Sequence, residues 1–264
     1  MNFGLYKLDG GNPIFFISFM KKTYLTFIPL LLILISFTLK KDKTTLFIIG
    51  DSTAANKTEK ALPENGWGMR IDEFFDDNVT IVNKAANGRS TKSFINEKRW
   101  DGVLEKLKAG DFVFIQFGHN DEKIDKPGVG TTLEEYKSNL ILFVNQAREK
   151  QANPVLLTPI MRRSFKKGVF ADSHKGYPDV VRKVADSLKV PLIDMHRKTE
   201  KLLVSLGEQG SIKLFNHLDS GHVNYPNGVK DNTHLNIEGA KEVAGLVVEG
   251  IKETKISLVR YLKK

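Results

Sequence analysis

A serine becomes a useful nucleophile near neutral pH only when a base takes its proton and a third group holds that base in one tautomer. Ser52, in Gly50-Asp51-Ser52-Thr53, stands where an apolar run ends and the chain turns, so its hydroxyl can project from the edge of a sheet. Far downstream, Asp231-Asn232-Thr233-His234 sets a carboxylate three residues before an imidazole. On one turn that spacing lets Asp231 reach Nδ1 of His234 while Nε2 faces Ser52. Attack on an ester also needs donors aimed at the carbonyl oxygen as it gains charge. The backbone N–H groups of Ser52 and Gly88 and the side-chain amide of Asn120 are suitable. Every one of these residues also has a structural reading. Asp51 or Ser52 can cap a following helix, Asp231 can be a turn residue beside a surface histidine, Gly88 a turn glycine, and Asn120 an Asx-turn residue.

Their places along the chain give these candidates weight. Thr45–Ile49, Val79–Val82, Phe112–Phe117, Val155–Leu157 and Pro191–Ile193 are short, continuously apolar runs, which predict five strands of a parallel sheet covered on both faces. Between them lie stripes at helical spacing: Trp67, Ile71, Phe74 and Phe75; Val103, Leu104 and Leu107; Leu133, Tyr136, Leu140, Val144 and Ala147; Val181, Val184, Ala185 and Leu188. A last one, Ile237, Ala240, Ala244, Val247 and Val248, follows the fifth run. Alternating strand and helix predicts a three-layer α/β/α sandwich with right-handed crossovers. In such sheets ligands bind beyond the carboxyl ends of the strands. Gly50-Asp51-Ser52, residues 83–90 and Gly118-His119-Asn120-Asp121 all follow strands there, and all are polar and glycine-containing. The stretch from about 207 to 233 shows little periodicity and reads as a long loop, of the kind that often carries function.

Composition narrows the classes. The 264 residues are 41% hydrophobic, enough for one large domain, and contain no cysteine, which excludes disulfides, thiolate metal sites and a cysteine nucleophile. Met20-Lys21-Lys22 precedes an uncharged run from Leu25 to Leu39. A basic start before roughly 15 apolar residues reads as a signal peptide, with an uncleaved anchor as the alternative and translation beginning at Met20. Residues 1–42 are therefore expected to be a leader and 43–264 the working domain of an exported protein. The formal charge is +9. Lys7, Lys21, Lys22, Lys40 and Lys41 against Asp9 and Asp42 account for part of it, leaving 35 basic and 29 acidic residues, or +6, beyond the leader. That surplus suits an acidic partner, but no basic block interleaved with aromatics points to nucleic acid.

Taken together, Gly50-Asp51-Ser52, Gly88, Asn120 and Asp231-x-x-His234 resemble the four blocks of the SGNH/GDSL hydrolases, in order and over nearly all of the chain beyond the leader. The fuller strings Gly50-Asp51-Ser52-Thr53, Asn87-Gly88-Arg89-Ser90, Gln116-Phe117-Gly118-His119-Asn120-Asp121 and Asp231-x-Thr233-His234 resemble the rhamnogalacturonan acetylesterases. So do Arg162-Arg163-Ser164-Phe165 and Tyr177-Pro178. Thr53 replaces the leucine usual in the first block, as it does in that branch. The resemblance implies a flavodoxin-like sheet, no metal or cofactor, a triad of Ser52, His234 and Asp231, and an oxyanion hole of Ser52, Gly88 and Asn120. The implied reaction is O-deacetylation of an acetylated cell-wall polysaccharide, with pectic rhamnogalacturonan the expected substrate. The membrane would be a partner only through an uncleaved leader.

Further substrate contacts are expected from Arg89, His174 and Tyr177, while His119 either lines the site or orients the Asn120 loop. Arg89, Arg162, Arg163, Lys166, Lys167 and Lys175 form either a solvated surface or a mouth that pairs with uronate carboxylates. His217, Asp219 and His222 lack a clear third partner for a metal. No Gly-x-Ser-x-Gly elbow, Walker A loop or His-Glu-x-x-His is present. Two rivals remain: a lysophospholipase or thioesterase of the same fold, and a non-catalytic glycan-binding protein tethered by the leader.

Overall fold

The computed structural model describes residues 43–263. The expected leader, residues 1–42, with the signal or anchor reading and the expected start at Met20, lies outside the described residues. The described residues begin with strand β1 (Thr44–Gly50), run through three short 3-10 turns (Glu59–Ala61, Trp67–Met69 and Ile71–Phe74) and return as β2 (Val79–Asn83). Helices α1 (Thr91–Asn96) and α2 (Asp101–Leu104) lead to β3 (Phe112–Gln116); α3 (Leu133–Glu149) leads to β4 (Asn153–Leu157). A small hairpin of β5 (Phe165–Lys166) and β6 (Val169–Phe170) precedes α4 (Tyr177–Leu188), β7 (Leu192–Ile193) and α5 (Met195–Gly210). The ribbon β8 (Phe215–Leu218) and β9 (Val229–Leu235) and the long helix α6 (Ile237–Thr254) complete the order.

Five strands form one parallel sheet in the order β2-β1-β3-β4-β7. Counted within the sheet this is 2-1-3-4-5, the doubly wound arrangement in which the order reverses between the first and third strands. The apolar runs are continuous because both faces are buried. Leu46, Ile48, Phe112, Phe114, Val155 and Leu157 pack on one side with Val243, Val247 and Ile251 of α6. Their neighbours Phe47, Ile49, Val113, Ile115 and Leu156 pack on the other with Leu140, Phe143 and Val144 of α3 and Val181 and Val184 of α4. The expected α/β/α sandwich is the observed fold, and each of the five predicted strands is present.

Three local expectations change. The Trp67–Phe75 stripe is helical but tight and interrupted, with Trp67 and Ile71 buried on 3-10 turns and Phe75 buried on the extended residue that follows. The Trp67 N–H, at the start of its turn, donates to the carbonyl of Thr53 (2.9 Å). Leu133 and Ile237, at the ends of two apolar stripes, are exposed as the first residues of their helices. The supposed long loop 207–233 holds a 3-10 turn (Ser211–Leu214) and most of an antiparallel ribbon, with a register break between Phe215 and His217. Asp231 and His234 therefore sit on strand β9 rather than on one turn before α6.

Candidate active site

Gly50, the last residue of β1, has no room for a side chain: a Cβ there would lie 2.5 Å from the carbonyl oxygen of Gln116 on β3. Beyond it residues 51–55 form turns rather than a helix. Asp51 takes the capping role, its Oδ1 accepting from the Thr53 N–H (3.0 Å) and hydroxyl (2.8 Å). That frees Ser52 from capping. Its Oγ lies 2.9 Å from Nε2 of His234, and Nδ1 of His234 lies 2.7 Å from Oδ2 of Asp231. The other Asp231 oxygen accepts the N–H groups of Thr233 (2.7 Å) and His234 (3.0 Å), so the carboxylate is aimed from both ends. Burial alone would raise the Asp231 pKa; the hydrogen bonds from the His234 ring and from these two N–H groups outweigh it and bring it down to about 2.

Neighbouring segments hold this line in place. Gln116 Oε1 accepts from the Trp67 indole (2.7 Å) and its Nε2 donates to the Thr158 carbonyl (3.2 Å), tying the ends of β3 and β4 to the wall behind Ser52. On the opposite side, the Asn65 N–H donates to the Leu235 carbonyl (2.8 Å). The Arg163 N–H donates to the Asn232 carbonyl (2.8 Å) and its Nη1 to Asn232 Oδ1 (3.0 Å), so β9 is pinned on either side of His234.

The proposed oxyanion donors come from the next two loops. Residues 86–89 make a turn closed by the Arg89 N–H on the Ala86 carbonyl (3.2 Å), with Gly88 at φ +75°. Glycine is needed there for that backbone angle, since a Cβ would meet nothing within 4 Å. Neither the Ser52 nor the Gly88 N–H donates to any group among the described residues. The buried Asn120 amide donates one proton to the Arg89 carbonyl (3.1 Å), while Lys123 donates to its Oδ1 (2.8 Å), which fixes the amide's orientation and leaves its second proton. Asp121 anchors the same loop, accepting from the Thr91 N–H (3.0 Å) and hydroxyl (2.5 Å) at the start of α1.

Other expected contacts are redirected. His174 is fully buried, its Nε2 against the Ile160 carbonyl (2.8 Å) and its Nδ1 3.3 Å from Glu122. Tyr177 is buried in the core behind the Asn120 loop, donating to the Thr131 carbonyl (2.5 Å). Neither has surface for a substrate to touch, which corrects that expectation. His119 is also buried, edge-on to His174 with ring centroids 4.8 Å apart. Burial and the neighbouring charges of His174 and Arg162 hold its pKa well below the usual histidine range. Arg162 pairs with Glu122 and donates to the His119 carbonyl, and Arg89 spans Glu97 with its Nε 3.1 Å from both oxygens. His217 bonds Asn232 (2.9 Å), and among the described residues no group of three His, Asp or Glu is close enough to hold a metal.

Several residues around the site carried no sequence signal: Lys57, Glu64, Glu122 and the buried His196. They are isolated polar residues that meet their partners only in the fold. A cavity of about 230 Å³ lined by Phe112, Asn153, Pro154 and Pro191 opens at the amino ends of the strands, the edge away from Ser52.

Comparison with known proteins adds lineage to this geometry. The chain is 38% identical over 224 residues to the rhamnogalacturonan acetylesterase RhgT of Bacillus subtilis, covering 84% of this chain and 95% of that one. It is 32% identical over 220 residues to the probable rhamnogalacturonan acetylesterase YesY of the same organism, covering 83% and 97%. The crystal structure of the Bacillus subtilis protein YxiM shares the fold with a TM-score of 0.70 at 24% identity, covering 82% of this chain and 58% of that one. A family profile described as GDSL-like lipase/acylhydrolase matches residues 48–241, from β1 into α6. The chain belongs to the GDSL-like lipase/acylhydrolase family.

Proposed function

We propose that this chain is an exported serine esterase that removes O-acetyl groups from pectic rhamnogalacturonan. The observation that carries the reading is the continuous hydrogen-bonded line from Ser52 Oγ through His234 to Asp231, in a chain whose relatives over most of its length are named rhamnogalacturonan acetylesterases. Export is supported by the basic and apolar pattern of residues 20–39.

In the proposed reaction His234 Nε2 takes the Ser52 proton as Oγ attacks the acetyl carbonyl. The oxyanion is met by the Ser52 and Gly88 N–H groups and the second Asn120 amide proton. Collapse expels the sugar oxygen, which leaves with the proton from His234. A water then attacks the acetyl-enzyme, giving its proton to His234, and acetate departs as Ser52 recovers its hydrogen. Asp231 stays a carboxylate throughout, because its pKa of about 2 is far below working pH.

Acetate release from acetylated rhamnogalacturonan, acetylated xylan and nitrophenyl esters of two and eight carbons tests this. The expected result is preference for the pectic polymer and for acetate over octanoate. Ser52→Ala should lower kcat by about a thousandfold or more while the fold is retained. Preference for octanoate would favour a lipase of the same fold. Glycan binding with no ester hydrolysis by the wild type would make the chain a binding protein.

A further inference from the structure

Lys57 lies five residues after Ser52, and no part of its side chain is exposed. A lysine is almost never so placed unless every charge and donor is matched. Here all three ammonium protons have an acceptor. Nζ lies 2.7 Å from the Ser52 carbonyl oxygen, 2.7 Å from Asn87 Oδ1 and 2.7 Å from Glu64 Oε1, whose side chain is itself largely covered. Glu64 balances the charge; the other two acceptors belong to the segments that bear Ser52 and Gly88.

The first of the two peptide planes involved is held at both ends and the second at its carbonyl. In the plane joining Ser52 to Thr53, Lys57 holds the carbonyl while Asp51 Oδ1 holds the N–H. In the plane joining Asn87 to Gly88, the carbonyl accepts from Arg89 Nη1 (2.8 Å), which leaves the Gly88 N–H pointing away from that bond. Lys57 grips the Asn87 side chain of that same turn. One ammonium thus sets the separation between the nucleophile's turn and the Gly88 turn.

We propose that Lys57 is a positioning residue that registers Ser52 against the Gly88 N–H, so that nucleophile and oxyanion donors address the same carbonyl. This rests on the esterase reading above. It requires that loss of Lys57 slow the formation of a charged tetrahedral centre while leaving ground-state binding alone.

The test compares wild type with Lys57→Met carrying Glu64→Gln, so that no buried carboxylate is left unpaired, and with Asn87→Ala, which cuts the link at an exposed turn. Each is measured for kcat and KM on nitrophenyl acetate and for the rate at which a fluorophosphonate labels Ser52, with melting temperature alongside. The expected loss for the Lys57 variant is about 10- to 100-fold in kcat and in labelling, with KM within about threefold, the scale of losing an oxyanion donor's alignment. Asn87→Ala should lose about 3- to 10-fold in kcat, and adding it to the Lys57 variant should cost nothing more, because both cut one link. Wild-type labelling by the variants, or losses that multiply, overturns the proposal while the serine-esterase reading stands. If the Lys57 variant does not fold, the kcat of Asn87→Ala decides: a wild-type value sinks the idea. If wild type itself resists the fluorophosphonate and leaves the acetate intact, the esterase reading falls and the role of Lys57 with it.

Discussion

Asp121 is fully buried and Asp231 half-buried, and burial pushes both carboxyls toward the neutral form. They end on opposite sides of the ordinary range because their donors differ. Asp231 collects the His234 ring and two backbone N–H groups and falls to about 2. Asp121 has Oδ1 served by Thr91 and Thr131, but its Oδ2 has no hydrogen-bond partner among the described residues; burial, with the Asp51 carboxyl adding its charge, raises the pKa to about 7. A carboxyl whose folded pKa lies above its unfolded value of 3.8 favours the folded state most at low pH. That contribution drains away as pH climbs from about 4 to about 7, by up to about 4 kcal/mol. Asp121→Asn keeps an acceptor for Thr91 and removes the titration. Its stability relative to wild type, from urea midpoints, should improve between pH 5 and pH 8. A difference that stays the same at both pH values would show that Asp121 is not the group responsible.

The elements that carry chemistry differ in how plainly the sequence declares them. Strands β1, β3 and β4 are readable because burial on both faces demands unbroken apolar runs, and the blocks at their carboxyl ends follow from that. The β8–β9 ribbon is not readable in the same way. Its strands, Phe215-Asn-His-Leu and Val229-Lys-Asp-Asn-Thr-His-Leu, spend half their positions on polar contacts to the site and to Arg163, so no apolar period survives. Helix α5 hides for a related reason, since buried Thr199 and His196 break its stripe. Lys57 leaves no trace at all, because only folding brings residues 52, 64 and 87 to one ammonium. Arg163 shows what such a ribbon needs. Its guanidinium reaches Asn232 on β9, Ser211 Oγ (3.2 Å) and the Glu208 carbonyl at the end of α5. Lysine cannot span three acceptors with a planar fork. Arg163→Lys should cost about 1–3 kcal/mol, a melting shift of about 2–12 °C. It should also lower kcat several-fold as Asp231 and His234 lose their register, by about the fivefold expected for 1 kcal/mol of lost alignment. Unchanged kcat with a lowered melting temperature would confine Arg163 to stability.

At the scale of the whole molecule, the surplus of positive charge beyond the leader has to be placed before it can attract anything. Three of the six basic residues expected at the mouth are already engaged: Arg89 by Glu97, Arg162 by Glu122, and Arg163 by β9 and α5. Lys166, Lys167 and Lys175 remain exposed, with no carboxylate at ion-pair distance among the described residues. Two of them ride the β5–β6 hairpin that follows β4. This hairpin is braced from within by the Phe165–Phe170 edge contact (5.1 Å) and from outside by the Gly168 N–H on Glu208 (3.1 Å). Their charge is therefore carried on a fixed arm rather than a loose loop. An acidic polymer approaching Ser52 along the carboxyl edge of the sheet would meet that arm, whereas a small neutral ester would not. Lys166→Gln with Lys167→Gln should raise KM on acetylated rhamnogalacturonan about two- to fivefold at low ionic strength, with kcat/KM on nitrophenyl acetate moving less than about twofold. The gap should close as salt shortens the Debye length from about 10 Å toward 3 Å. Equal losses on both substrates, or a loss indifferent to salt, would mean that the hairpin serves the fold and that the polymer is held by uncharged contacts.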